Sequence, residues 1–252
     1  MSDPTRRFSN RVQDYVAYRP SYPPELLDVL ASECGLGPAS VIADVGSGTG
    51  KLTELLLAHG NTVFAVEPND AMRHAAESLL GGQPGFRSVK GTAEETTLAS
   101  GAIDLVVAGQ AFHWFDREKT VGEFRRILRP PRAVALVWNT RDDEASAFLR
   151  DYDAFVQHYS VDYEKVSQRS VMTDEIFQAF FRGPFRKTIV KNLQRCDFDG
   201  VLGRYLSASY AYTRDDPRLA QAEDELRRAF DQHAVGGMVD FPYVTEIYTG
   251  SL

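Results

Sequence analysis

The amino-acid sequence predicts an α/β fold built on a doubly wound, mostly parallel sheet. Two observations support that prediction. Short apolar runs of strand length alternate with segments of helical period between residues 41 and 138, which is typical of strands joined by right-handed crossovers. The first apolar run also ends in a glycine-rich turn that leads into a helix, the usual place for a ligand site in such sheets. A chain of 252 residues is long enough to form one large domain with a sizeable core.

Composition narrows the classes of function. Hydrophobic content of 43% and charged content of 25% are those of an ordinary globular protein. A net charge of -7 argues against nucleic acid as the main partner, because phosphates require a basic surface. The N-terminus is polar, and the longest apolar runs, such as 103–108, are far too short to cross a bilayer. We therefore expect a cytoplasmic monomer or homodimer without a membrane partner.

Cysteine usage gives no sign of a metal or redox site. The two cysteines, Cys34 and Cys196, lie far apart in the sequence and match no ligand spacing. We expect both to be inert thiols in a reducing compartment, and we expect no metal.

The stretch 41–53, V-I-A-D-V-G-S-G-T-G-K-L-T, is the segment around which the rest of the chain is organised. Gly46, Gly48 and Gly50 allow positive φ angles and remove the side chains that would hold a ligand away from the backbone. The carboxylate of Asp44 precedes this turn. It favours a ligand with a positive charge, because it would repel a pyrophosphate.

The glycine spacing argues against two related loops. A dinucleotide-binding turn would need its third glycine where Lys51 stands. A phosphate-binding Walker loop would need Ser or Thr where Leu52 stands. The remaining alternatives are a site for a different ligand and a tight turn that binds nothing.

The pattern Asp44-x-Gly46-x-Gly48-x-Gly50 resembles the first motif of class I S-adenosylmethionine-dependent methyltransferases. The resemblance implies that this segment, with Ser47, contacts a cofactor that carries an ammonium and a sulfonium. It also implies a Rossmann-like seven-stranded sheet whose last strand is antiparallel. The implied reaction is methyl transfer from S-adenosylmethionine to a small-molecule acceptor.

Residues 8–30 precede the first strand and carry several aromatic side chains near one arginine. The segment Tyr-x-x-x-Arg-Pro-x-Tyr-Pro from Tyr15 is similar to the lead-in of the trans-aconitate methyltransferase-like subgroup of the type 11 group. The resemblance favours a lid in which Arg19 pairs with a carboxylate of the cofactor and Tyr22 is a candidate base. The alternative is a tyrosine-rich helix that packs on the sheet edge.

The ends of the second and third strands carry further candidate cofactor contacts. Glu67, followed by Pro68, comes about twenty residues after the glycine loop, where a carboxylate can accept from both ribose hydroxyls. Its alternative is an exposed acid at a strand end. The resemblance implies that Ala93 and Glu94 contact the adenine. Another interpretation of this segment is a capping box from Thr92 for a short helix.

The fourth apolar run, 102–108, leads into the loop that should face the glycine turn. Gln110 is a candidate contact for the methionine part of the cofactor. His113 and Trp114 resemble the family's His-Trp pair near the transferred methyl group, so His113 is a candidate catalytic residue and Trp114 a candidate substrate contact. The alternative for His113 is a packing role.

Beyond residue 141 the pattern changes. Residues 142–183 and 199–235 are helical in tendency, and we interpret them as a cap over the cofactor site, although part of them must be core. Residues 186–193 and 238–248 are predicted strands. Pro242 should confine the latter to a sheet edge or an irregular start.

The acceptor is the least determined element. A carboxylic acid acceptor needs no general base, only a cation to hold it. The candidates are Arg19, Arg141, Arg204 and Arg214. A carbon or phenol acceptor would require a base such as His113 or Tyr22. Two other classes stay open: an NAD(P)-dependent oxidoreductase, against which the glycine spacing argues, and a non-catalytic cofactor-binding or scaffolding protein.

Overall fold

A seven-stranded sheet forms the centre of the computed structural model, which describes residues 11–161 and 172–252. The strands are β1 Val41–Val45, β2 Thr62–Val66, β3 Phe86–Val89, β4 Ile103–Gly109, β5 Leu128–Arg141, β6 Phe185–Cys196 and β7 Val239–Ser251. The described helices are α1 Val12–Tyr18, α2 Glu25–Cys34, α3 Lys51–Ala58, α4 Asp70–Leu80, α5 Arg117–Ile127, α6 Ala147–His158, α7 Asp174–Phe181, α8 Phe198–Leu206 and α9 Leu219–His233. A short 3-10 turn, Phe112–Trp114, follows β4.

The strand order is β3-β2-β1-β4-β5-β7-β6. Strands β1 to β5 are parallel, and β7 runs antiparallel to both of its neighbours. This arrangement confirms the predicted mixed sheet with an antiparallel last strand. The chain reverses its direction of progress between β1 and β4, so the loops after these strands part and leave a crevice at their carboxyl ends.

Helices cover both faces of the parallel strands because successive strand residues point to opposite sides. On β4, Val106 packs into a core with the α5 residues Val121 and Phe124. The next residue, Val107, packs into a second core with Leu26 of α2 and residues of α3 and α4. Both cores exclude water from the strands that carry the site.

A third, aromatic core holds the C-terminal helices on the extended end of β7. Tyr152 and Phe155 of α6 pack with Tyr205 of α8, Phe230 of α9 and Phe241 of β7. Much of the segment predicted as a cap is therefore ordinary core. The cap prediction for 162–171 and the lid prediction for 8–10 lie outside the described residues.

The prediction for Pro242 holds for the start of β7, which pairs with β6 alone, but not for the strand as a whole. Over the rest of its length, β7 lies between β5 and β6, so it is not an edge strand there. Pairing with β5 begins one residue later, at Tyr243 opposite Arg141. The Pro242 oxygen accepts from the Asp142 N–H, so the missing proline N–H faces the space just beyond the paired part of β5, where no ladder bond is lost.

The short helix that was the alternative interpretation of the segment after β3 is absent. Residues 91–99 form bends and irregular backbone. Thr92 Oγ1 accepts from the Glu95 N–H at 3.2 Å, and the Thr92 N–H donates to the Glu95 backbone oxygen at 3.0 Å. The two residues close a turn on each other, which leaves no helix to cap.

Candidate functional site

A cavity of about 640 Å³ opens at the carboxyl ends of the parallel strands. Among the predicted site residues, those in its wall are Arg19, Tyr22, Gly46, Gly48, Glu67, Pro68, Ala93, Glu94, Gln110, His113, Trp114, Arg141 and Arg204. Three others, Asp44, Ser47 and Gly50, belong to the glycine-rich segment 41–53 but are not wall residues. Loops from four parallel strands therefore meet residues of the N-terminal segment and of the C-terminal helices around one space.

The glycine loop presents bare backbone to this cavity. Gly46 and Gly48 have φ angles of 71° and 58°, in the left-handed region that favours glycine. A Cβ atom on Gly46 would lie 2.5 Å from the Cβ of Ala111, so this position is closed by packing. A Cβ atom on Gly48 would have no atom within 4 Å, so it would stand in open space.

Glu67 is fixed at the end of β2 beside that loop. Its Oε2 accepts from the Gly48 N–H at 2.9 Å, and its Oε1 accepts from the Asn69 N–H at 2.8 Å. Burial raises the pKa of Glu67, while these two backbone hydrogen bonds act to lower it. Each oxygen keeps a lone pair, so the carboxylate can still accept from two hydroxyls of a ligand.

Asp44 supports the loop from beneath. Thr53 Oγ1 donates to Asp44 Oδ2 at 2.6 Å, and Asp44 Oδ1 is buried with no hydrogen-bond partner. Burial raises the pKa of Asp44 to about 7. The position is poorly suited to a negative charge unless a cation approaches.

The loop after β4 carries two polar groups whose hydrogen-bonding capacity is not met. Gln110 Nε2 donates to the Asn139 backbone oxygen at 2.9 Å, while Gln110 Oε1 is buried without a partner. His113 Nδ1 is also buried without a partner, and burial lowers the pKa of His113 to about 4. His113 is therefore neutral near pH 7. Trp114 next to it is 37% exposed.

Two further predicted residues have defined neighbours in the wall. The Tyr22 hydroxyl packs against Gly109, where a Cβ atom would lie only 2.4 Å from the hydroxyl oxygen. Burial raises the pKa of this phenol well above its usual value. Tyr22 is therefore a proton donor at neutral pH rather than a ready base.

Glu94 is held by one backbone group. Its Oε1 accepts from the Asp116 N–H at 2.8 Å.

The arginines of the wall differ in their partners. Arg141 bonds to the carboxylates of Asp143 and Asp153, the latter at 2.7 Å. All three side chains are mostly buried, with 9%, 8% and 20% of their area exposed. The charge of Arg141 is therefore already balanced within the protein.

Arg19 and Arg204 have no such balance. Arg204 is 8% exposed, and its Nε donates to the neutral Tyr243 hydroxyl at 3.0 Å. Arg19 donates to the Ser207 backbone oxygen at 3.1 Å, and its Nε is buried without a partner. Burial, together with the charge of Arg204, lowers the pKa of Arg19. In the part of the chain that the structure describes, no carboxylate forms an ion pair with either guanidinium.

Sequence reasoning missed the far wall of the cavity, which β5, β6 and β7 form. Its residues are Trp138, Thr140, Lys187, Glu246 and Tyr248. The position of Trp138 at the end of a predicted strand could have marked it as a wall residue. The others depend on the antiparallel register of β6 and β7, for which the sequence carries no signal.

Metal and membrane features are absent from residues 11–161 and 172–252. No group of three or more His, Cys, Asp or Glu side chains there could hold a metal ion. Within the same residues, no helix combines the length and apolar character that a membrane span requires. Both cysteines are free, and burial raises the pKa of Cys34 to about 12 and of Cys196 to about 11, so neither thiol is activated.

Comparison with known proteins identifies the central segment. Residues 43–135 match the model of a family described as a methyltransferase domain. An uncharacterised methyltransferase of Mycobacterium tuberculosis is 40% identical over 141 residues, which are 56% of this chain and 55% of that protein. The chain thus spans about half the length of the curated relatives it matches.

Solved structures share the fold over most of the chain. A protein described as a type II methyltransferase from Anaeromyxobacter dehalogenans is 24% identical with a TM-score of 0.63, covering 93% of this chain and 98% of its own. A methyltransferase from Geobacter sulfurreducens, solved in complex with S-adenosylhomocysteine, is 16% identical with a TM-score of 0.53 and is covered over 100% of both chains. These likenesses extend to the architecture alone.

Proposed function

We propose that the chain, whose residues 43–135 match the model of a family described as a methyltransferase domain, is a class I, S-adenosylmethionine-dependent methyltransferase acting on a small molecule. One observation carries the proposal. The Glu67 carboxylate is held by two backbone N–H groups at the cavity edge, next to the open side of Gly48. A fixed carboxylate beside bare backbone suits a nucleoside whose ribose hydroxyls donate to it.

The residues of the wall fit the remaining parts of this cofactor. Ala93 and Glu94 would contact the adenine. The unpartnered Oε1 of Gln110 would accept from the ammonium group, and the charge of Asp44 behind the loop would favour it. Arg19 would pair with the cofactor carboxylate through its fixed planar fork. When bound, S-adenosylmethionine supplies a methyl group that is electrophilic because it is attached to a sulfonium.

The contribution of the protein is then to hold two ligands in line and to exclude water. Loops from four strands, the N-terminal segment and the C-terminal helices enclose the cavity, which favours orientation of both partners in a desolvated space. The lid formed by residues of 8–30 and the helical cap stay predictions about how this enclosure opens.

We further propose that the acceptor is a carboxylic acid. Arg204 is buried in the wall with no carboxylate partner among the described residues, whereas Arg141 is already paired. A buried guanidinium of this kind favours an anionic ligand. With a pKa near 4, His113 would be a weak base, and Tyr22 holds its proton. A carboxylate acceptor needs neither of them.

A transfer assay with methyl-labelled S-adenosylmethionine tests the proposal. The native chain should label at least one member of a panel of small mono-, di- and tricarboxylic acids. The Glu67→Gln variant should lose most of that activity, whereas Glu54→Gln, at an exposed acid on α3, should keep it.

The outcomes separate the two parts of the proposal. Binding of S-adenosylhomocysteine without labelling of any acid would refute the carboxylic acid acceptor and leave the cofactor assignment intact. Failure of the folded native chain to bind S-adenosylhomocysteine would refute both.

A further inference from the structure

The indole N–H of Trp138 is a buried donor in the cavity wall to which the cofactor assignments give no role. Trp138 is 4% exposed, and its Nε1 atom is buried without a hydrogen-bond partner. Buried tryptophan N–H groups usually have a partner, because an unmet donor in the interior is costly. Since Trp138 lines the cavity, a ligand can supply that partner.

The position of Trp138 separates it from the ribose end of the site. Trp138 lies near the carboxyl end of β5, and β4 and β1 stand between β5 and β2. Adjacent strands are about 4.8 Å apart, so the ends of β5 and β2 are roughly 14 Å apart across the sheet. A ligand group that reaches Trp138 is therefore not the one that Glu67 holds.

Aromatic contacts fix the indole ring in this position. Its centroid lies 5.6 Å from that of Phe177, 5.8 Å from that of Tyr248 and 6.3 Å from that of Phe112, each in an edge-to-face arrangement. Rings packed on three sides limit rotation of the indole. The direction of its N–H is thus set by the protein before any ligand arrives.

The carboxylate of Glu246, the strand partner of Trp138, has other partners. Glu246 lies opposite Trp138 in the β5–β7 register, so both side chains are on the same face of the sheet. Its carboxylate accepts from Lys187 Nζ at 2.6 Å and from Thr140 Oγ1 at 2.8 Å, which balances its charge. Neither Glu246 nor any other described residue accepts from the indole N–H.

We propose that Trp138 determines acceptor specificity by donating its Nε1 hydrogen to an oxygen atom of the bound carboxylic acid. This inference rests on the proposed function and adds a second contact to the one expected from Arg204. A group that only donates, such as an ammonium, cannot accept this hydrogen bond. The wall at Trp138 therefore selects against ligands of the same shape that carry an ammonium group in place of the carboxylate.

Indole signals in a proton–nitrogen correlation spectrum test the proposal, because the chain contains two tryptophans. The Trp114→Phe variant serves only to assign the two signals. The native protein is first saturated with S-adenosylhomocysteine and then titrated with benzoate, malonate or citrate. The Trp138 signal should move downfield and saturate with at least one of these acids.

Kinetic variants add a second readout once an acid is found to be methylated. Trp138→Phe keeps an aromatic ring but removes the donor, and it should raise the KM for the acid about five- to tenfold with an unchanged Kd for S-adenosylhomocysteine. Phe180→Leu is the matched control. It loosens the same aromatic cluster, in which Phe180 lies 4.6 Å from Phe112, at a residue outside the cavity wall.

Three results would overturn the proposal. Movement of the Trp138 signal with S-adenosylhomocysteine alone, and no further change with acids, would assign the donor to the cofactor. If no acid moved the Trp138 signal, the proposed hydrogen bond to the acid would be refuted. If Phe180→Leu raised the KM for the acid equally, the effect of Trp138→Phe would be due to looser packing and not to the lost hydrogen bond. Calorimetry with S-adenosylhomocysteine reports separately on the proposed function.

Discussion

The two ends of the cavity use charge in opposite ways. At the ends of β1 and β2, Asp44 and Glu67 accept hydrogen bonds from Thr53 and from backbone N–H groups, so the acids are part of the folded framework. At the other end, Arg19 and Arg204 lie close together with only neutral partners. At the first end, hydrogen bonds offset part of the cost of burying the acids, although burial still raises their pKa values. At the second end, no carboxylate among the described residues offsets the charge of the two arginines.

This difference shows which part of the site is structural and which awaits a ligand. A pair of buried, uncompensated cations is costly in a free protein, so its presence needs a functional reason. Their removal should affect binding more than stability. The predictions below test that distinction, from the largest expected effect to the smallest.

The largest contrast is expected between Arg141→Gln and Arg204→Gln. The first leaves the carboxylates of Asp143 and Asp153 buried without their cation, which should cost about 3 kcal/mol of unfolding free energy. The second removes a charge that has no carboxylate partner among the described residues, so its unfolding free energy should be equal to or higher than that of the native chain. Denaturant unfolding measures both, and equal destabilisation would contradict the comparison.

The next effect is the pH dependence that Asp44 causes. Because burial raises its pKa from 3.8 to about 7, the folded state binds a proton more tightly than the unfolded state. The resulting stability is fully present below pH 3.8 and is lost as the pH rises through about 7. Relative to Asp44→Asn, the native chain should lose on the order of 4 kcal/mol over this interval. If the native chain and Asp44→Asn gave superimposable curves of unfolding free energy against pH, the raised pKa of Asp44 in the folded state would be refuted.

Substitutions in the glycine loop should separate packing from binding. In Gly46→Ala the new methyl group meets Ala111, so strain and overpacking together should cost about 2 to 4 kcal/mol. In Gly48→Ala the methyl group enters open space, and the cost should be limited to about 1 kcal/mol of backbone strain. The Gly48 variant should instead lose cofactor affinity. Thermal unfolding and calorimetry on both variants measure this, and loss of stability without loss of affinity in Gly48→Ala would be the contrary result.

The smallest effect concerns His113. Burial lowers its pKa to about 4, so its charge is constant across neutral pH. Its share of stability is present above its usual pKa of 6.5 and falls only as the pH drops from there toward about 4. Between pH 6.5 and 8, the affinity for S-adenosylhomocysteine should have the same pH dependence in native and His113→Asn chains, within about twofold. A His113 titration near neutral pH in an NMR experiment would contradict the buried, neutral imidazole.

The acidic end of the cavity could be predicted from the sequence because its residues stand directly at the ends of parallel strands. Chain order alone brings such ends to one edge of a sheet, so Gly48 and Glu67 needed no knowledge of packing. The cap of α4 is equally local, since the Asn69 side chain accepts from the Met72 N–H three residues along the chain at 3.1 Å.

The basic end could not be predicted in the same way. Arg19 and Arg204 are 185 positions apart and meet because α1 packs closely on α8, where a Cβ atom on Gly203 would lie 2.1 Å from the Tyr18 ring. No periodic pattern encodes that contact.

Trp138 stands at the end of an apolar run, which could have marked it as a wall residue. Its neighbours in the wall, Glu246 and Tyr248, depend on a strand register for which the sequence carries no signal.

Pro242 illustrates a rule that holds locally rather than for a whole strand. Proline is excluded from ladder positions, yet it is accepted inside β7 because β5 ends one residue short of it. The length of β5 therefore decides whether proline is tolerated at position 242, and the sequence determines strand lengths poorly.

Calorimetric titration with S-adenosylhomocysteine of the native chain, Glu67→Gln and Glu54→Gln tests the central claim most directly. Loss of a charge-assisted contact should weaken binding by the Glu67 variant about 10- to 100-fold. The Glu54 variant should bind as the native chain does. If Glu67→Gln bound S-adenosylhomocysteine as tightly as the native chain does, the assignment of the end with Asp44 and Glu67 as the cofactor site would be contradicted.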